Sequence, residues 1–211
     1  MIRESIEKKI NSNLEPVIDQ IIAYCGNEYK DSIKKRASKI KLSIIKDEGV
    51  YSYDQGEVYV GDEPLCIKEN GYSHIVLPLT IIGDRHGNVV FIHMLLHAIG
   101  EEIFIKDNKD AFNETVVDYM ANDIAQWLKE HNINITTSKN PSYESNSFYS
   151  RLFEKIEPFY AYNKEKIIAG RLGNSVYFDE QDKYIDDIQT IVDKVFQVDQ
   201  EENNINIKLG K

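Results

Sequence analysis

The stretch Phe91–Gly100, FIHMLLHAIG, decides the reading of this chain, together with the run Asn113–Asp118, NETVVD, that follows it. His93 and His97 stand four apart in an otherwise apolar segment, so on a helix they project from one face about a turn apart. That spacing lets two imidazoles share one Zn²⁺ at about 2.0–2.1 Å. Glu114 can supply a third ligand from a second helix. Asp118, one turn further on, can orient a ligand from behind. Burying His, Glu and Asp among so many apolar neighbours is costly unless they pair or hold a metal.

The flanking sequence reads as alternating helix and strand. Ser5–Cys25 places apolar residues at Ile6, Ile10, Leu14, Val17, Ile18, Ile21 and Ile22, a helical period with Pro16 as a break or kink. Tyr29–Ile45 continues as helix, its lysines and Arg36 forming a wet face. Gly49–Gly61 is a hairpin about Asp54-Gln55-Gly56. Tyr72–Ile82 is a third strand, and its internal Pro78 argues for an edge position. Asn88 caps a buried central helix over Val89–Phe104, which Gly100 breaks. Ala111–His131 is a long second helix, and Asn113 caps or braces its start.

These elements predict an α+β fold: a small mixed or antiparallel sheet with an edge strand, packed on the central helix, plus a helical C-terminal part. The expected organisation is a domain over 1–132, a linker over 133–147 rich in Asn, Ser, Thr and Pro, a helical subdomain over 148–198 and a polar, disordered tail over 199–211.

The order of elements, with HxxxH on one helix and NExxxD on the next, resembles the zincin metallopeptidases, specifically the gluzincin branch. The residues that carry the likeness are His93, His97, Asn113, Glu114 and Asp118, and it spans roughly 45–131. The resemblance implies that His93, His97 and Glu114 ligate zinc and that Asp118 hydrogen-bonds the first histidine. It also implies a peptide laid along the edge strand at Ile75, Val76 and Leu77 by strand addition.

One position departs from the family. Its helix motif is H-E-x-x-H, whose Glu is the general base, and here that place is held by Met94. A thioether takes no proton, and a lost general base forfeits about 10²–10⁴ in rate. The expectation is therefore a zinc-binding, metallopeptidase-like protein without ordinary turnover, serving to bind a peptide or protein. Two alternatives stand beside it. One is an active peptidase, with Met94 engineered from Glu or with a substitute base; Glu101 and Glu102 are the nearest carboxylates, and Tyr119, His131, His86 and His74 are further proton-transfer candidates. The other is a metal-free interaction module in which the polar cluster stitches two helices together.

Composition narrows the classes. The 211 residues are 42% apolar and carry a net charge of −10, so no phosphate-neutralising surface is expected and nucleic acid is disfavoured. Two cysteines, Cys25 and Cys66, lack any CxxC spacing, which argues against a disulfide framework or a thiolate metal site. The N-terminus has no apolar signal core, and Val89–Ile99 is too short to span a bilayer. A cytoplasmic protein without membrane contact is the expectation; oligomeric state is left open.

Overall fold

A computed structural model describes residues 2–45, 49–53, 56–60, 63–101, 109–133 and 150–173. The chain opens with α1 (Ile2–Cys25), which keeps Pro16 inside it, then α2 (Lys30–Ala37). Strands β1 (Ile40–Ile45), β2 (Gly49–Tyr53), β3 (Gly56–Val60), β4 (Leu65–Glu69) and β5 (Tyr72–Pro78) follow. Helices α3 (Leu79–Gly83), α4 (Gly87–Ile99), α5 (Lys109–Glu130) and α6 (Ser150–Leu172) complete the described fold. The predicted α+β class with a small mixed sheet is what the chain adopts.

The main sheet has the order β1-β5-β4, with β1 parallel and β4 antiparallel to β5. The expected edge strand is therefore the central one. Ile75 and Val76 are paired on both sides, Leu77 is paired to β1, and all three are at most 1% exposed, so no peptide can add along them. Pro78 misleads because it stands at the last residue of β5, past the point where β4 starts opposite Val76, and a missing N–H costs little there. From Leu79 the chain is helical rather than extended. The better sequence signal was the unbroken apolar run Ile75–Leu77; in the structure Ser73–Pro78 is buried at every residue, as a strand covered on both faces must be.

Two further strands depart from expectation. β1 was expected to prolong the preceding helix, but Ile40, Leu42 and Ile44 alternate with polar residues, a period of two that the sheet uses. β4 joins β5 through Asn70-Gly71, both at positive φ (50° and 77°), the turn that suits a two-residue hairpin. The predicted hairpin is present as the antiparallel pair β2–β3.

Helix α4 is buried over most of its length and packs against β4, β5 and α5. Its apolar residues join Ile18, Ile21 and Ile22 of α1, Ile75 and Leu77 of β5, and Val116, Val117, Met120 and Ile124 of α5 in one core. Tyr160, Ile167, Ile168 and Leu172 of α6 belong to the same core. α4 begins at Gly87, one residue before the predicted cap Asn88, and ends at Gly100 as expected. α5 begins at Lys109, so Asn113 lies inside the helix, buried, and cannot cap its start. The predicted linker beyond Ile133, the segment beyond 173 and the tail lie outside the described residues. No helix among the described residues is long and apolar enough to cross a membrane.

Candidate metal centre

Helices α4 and α5 pack face to face, and the four polar residues singled out on them meet. One ligand atom each from His93, His97 and Glu114 lies within 4.8 Å of the other two. His93 Nε2 is 2.9 Å from His97 Nε2 and 3.1 Å from Glu114 Oε2, and His97 Nε2 is 3.2 Å from Glu114 Oε1. On the far side of the ring, His93 Nδ1 faces Asp118 Oδ1 at 3.3 Å.

These distances match the chemistry of a shared cation. Donors held tetrahedrally about 2.0–2.1 Å from zinc stand about 3.3–3.4 Å from one another, close to what the three side chains show. Donating its Nδ1 proton to Asp118 leaves His93 with a lone pair on Nε2. That lone pair then confronts both a Glu114 oxygen and a second imidazole nitrogen. A His97 Nε2–H can serve one of these contacts, but the His93–Glu114 pair still sets acceptor against acceptor, so a positive group between them is favoured. A divalent cation meets that need, and so does a proton.

The electrostatics describe the protonated alternative. Burial pushes the His93 imidazolium down, but hydrogen bonds to Asp118 and Glu114 outweigh it, and the pKa rises above the ordinary histidine value. His97 moves down, through burial and then the nearby charges of His93 and Arg171. Burial alone would raise the Glu114 carboxyl; the two histidines reverse this and hold it far below the usual carboxylate range. Without a metal, His93 rather than His97 is the imidazole that the surrounding carboxylates favour in its charged form.

Met94 lies beside His93 on α4 and is 9% exposed, packed with the core. The other candidates are engaged elsewhere. Glu101 pairs with Arg36 at 3.4 Å, and Glu102 lies outside the described residues. Tyr119 donates to Glu157, His131 stacks on Trp127, His74 meets the Tyr51 hydroxyl at 3.1 Å, and His86 accepts from Arg85 Nε. The structure thus brings together His93, His97, Glu114 and Asp118.

No protein-family model, curated protein or solved structure matches this chain.

Sequence reasoning missed how the C-terminal end of α4 is sealed. The last carbonyls of a helix lack partners within it. Here Arg171 Nη2 donates to Leu96 O (3.4 Å), Ser73 Oγ to Ala98 O (3.1 Å), Arg36 Nη1 to Ile99 O (2.8 Å) and Lys68 Nζ to Gly100 O (2.7 Å). Arg36, expected on a solvated basic face, instead reaches inward and also donates to Arg171 O and Gly173 O. Three cations at a helix C-terminus also suit its negative dipole end. The one sequence signal was Gly100, which marks a helix end whose carbonyls need donors. Four elements distant in sequence thereby fix the turn that carries His97.

Proposed function

We propose that the protein binds zinc through His93, His97 and Glu114, with Asp118 orienting His93, on a metallopeptidase-like scaffold of the gluzincin kind. The observation that carries this reading is the convergence of three ligand atoms within 4.8 Å, backed by a carboxylate 3.3 Å behind the first imidazole. Bound there, zinc would supply Lewis-acid polarisation of a carbonyl or water. Met94 offers no base beside it, so ordinary peptide hydrolysis is not the function we assign. The protein serves instead to hold a peptide or protein segment next to the metal. Strand addition would use β4, the outer antiparallel strand beside α4, in place of the central β5.

One observation favours a second reading, a metal-free polar cluster. His93 already hydrogen-bonds both Glu114 and Asp118, and as an imidazolium it satisfies both carboxylates.

Metal content separates the two. Untagged protein purified without added metal is analysed by plasma mass spectrometry beside His93→Ala and Glu114→Ala. Near-stoichiometric zinc, lost in both variants, is expected. No metal in the parent even after incubation with zinc leaves the imidazolium cluster as the correct account.

A further inference from the structure

A small cavity of about 210 Å³ lies between β4, the end of α4 and α6, lined by Cys66, Lys68, His97, Gly100 and Arg171. Its chemistry is one-sided. Two of the five lining residues are cationic and, among the described residues, no acid lines it, although the chain as a whole carries a net charge of −10. Cys66 adds no negative charge, because burial pushes its thiol up to about 11.

We infer that this cavity is a carboxylate-binding subsite, in which Arg171 and Lys68 hold the anionic end of a ligand against His97. Arg171 is 1% exposed, so its own desolvation is already met in the fold and its attraction for a carboxylate is screened less than that of a surface guanidinium. Lys68 lies two residues from Cys66 on β4, so both face the same way, and its ammonium is fixed 2.7 Å from Gly100 O at the cavity's rim. An ammonium has three donors, and the carbonyl takes one. The volume accommodates a carboxylate on a short stem and falls below the roughly 300–1,000 Å³ of drug-sized sites. Gly100 is part of the construction: a Cβ there would stand 2.6 Å from Leu96 O and 3.1 Å from Arg171 Nη2, pressing on the helix end and the guanidinium together. The inference deepens the zinc reading only in placing the carboxylate beside a metal ligand; the subsite itself does not need the metal.

A terminal carboxylate and an acidic side chain share this chemistry, and three N-acetylated tripeptides tell them apart by calorimetry: Ala-Ala-Leu as free acid, the same peptide as amide, and Asp-Ala-Leu amide. Zinc-free and zinc-incubated protein are both titrated, and zinc binding is measured independently. The free acid is expected to bind at least about tenfold tighter than its amide, a preference that opposes the overall negative charge and weakens with salt. Tight binding of the Asp-containing amide as well assigns the site to carboxylates of either origin. Lys68→Gln, at an exposed position, should reduce the preference several-fold, and Arg171→Lys should reduce it further. Equal binding of acid and amide, no binding of any peptide, or a preference untouched by Lys68→Gln overturns the subsite. Zinc binding without acid preference would sink the subsite and leave the metal reading intact; acid preference without zinc would do the reverse.

Discussion

Asp118 sits 3.3 Å behind His93 Nδ1, on the opposite side of the ring from the nitrogen that meets Glu114 at 3.1 Å. The imidazole is thus clamped between two carboxylates that do different work. One fixes its tautomer and the other competes for whatever positive charge lies in front of it.

That clamp predicts an ordered effect of substitutions at 118. Asp118→Ala removes the acceptor for Nδ1–H and should weaken zinc binding by about 10–100-fold. Asp118→Asn keeps an oxygen but loses the charge, and its loss should be smaller. Competition against a chromophoric chelator gives both constants. Zinc affinity unchanged in Asp118→Ala would show that His93 is not positioned from behind.

The pH dependence follows from the same residues. His93 has its pKa raised by Asp118 and Glu114 in the metal-free protein, so its protonated form persists above the ordinary value of about 6.5. Zinc needs the neutral ring and must displace that proton. His97, with its pKa lowered, is already neutral there and adds no proton. Affinity should therefore begin to fall while the pH is still above about 6.5, by close to tenfold per pH unit below His93's raised pKa. Chelator competition between pH 8 and 6, with proton release followed in two buffers, reads this directly. A flat profile until the pH drops well under 6.5 would contradict the raised His93.

Met94 tests whether the proposed zinc site stands in a peptidase-like scaffold. Met94→Glu puts a carboxylate beside His93 at a position only 9% exposed, so some loss of thermal stability is expected. In exchange, zinc-loaded Met94→Glu should hydrolyse a quenched casein substrate at least about 10²-fold faster than the parent. Met94→Gln, with no proton acceptor of comparable strength, should show no gain. Absence of any chelator-sensitive hydrolysis in folded, zinc-loaded Met94→Glu would argue that the likeness to metallopeptidases stops at the ligands.

How much of this was legible in sequence depended on the range of the physics involved. The two helices and their polar residues could be read because a 3.6-residue period is local, and His93, His97, Glu114 and Asp118 each fall on a predictable face. The sheet order could not. Whether β5 is central depends on β1 and β4, which arrive from either side with opposite polarity. A lone Pro78 at the strand's end is a poor substitute for that information. Arg171 and Arg36 were illegible for the same reason. Nothing in the run GRL around Arg171 announces that its side chain will close the end of α4.

Gly100 is where that long-range closure can be tested by a single methyl group. A Cβ at this residue would stand 2.6 Å from Leu96 O and 3.1 Å from Arg171 Nη2, and the first of these is backbone that cannot swing aside. Gly100→Ala must therefore shift the last turn of α4, the turn that carries His97. Overpacking of this kind costs about 1–3 kcal/mol. For a chain of this size that corresponds to a fall in Tm of about 3–10 °C. Because His97 moves with the turn, zinc affinity should fall together with stability. Ile99→Val, a core substitution one residue earlier that leaves the turn's backbone in place, should lower Tm modestly without affecting zinc. Calorimetric melting and chelator competition on both variants check the pairing. Equal zinc affinity in Gly100→Ala and the parent would mean that the sealed helix end does not position His97.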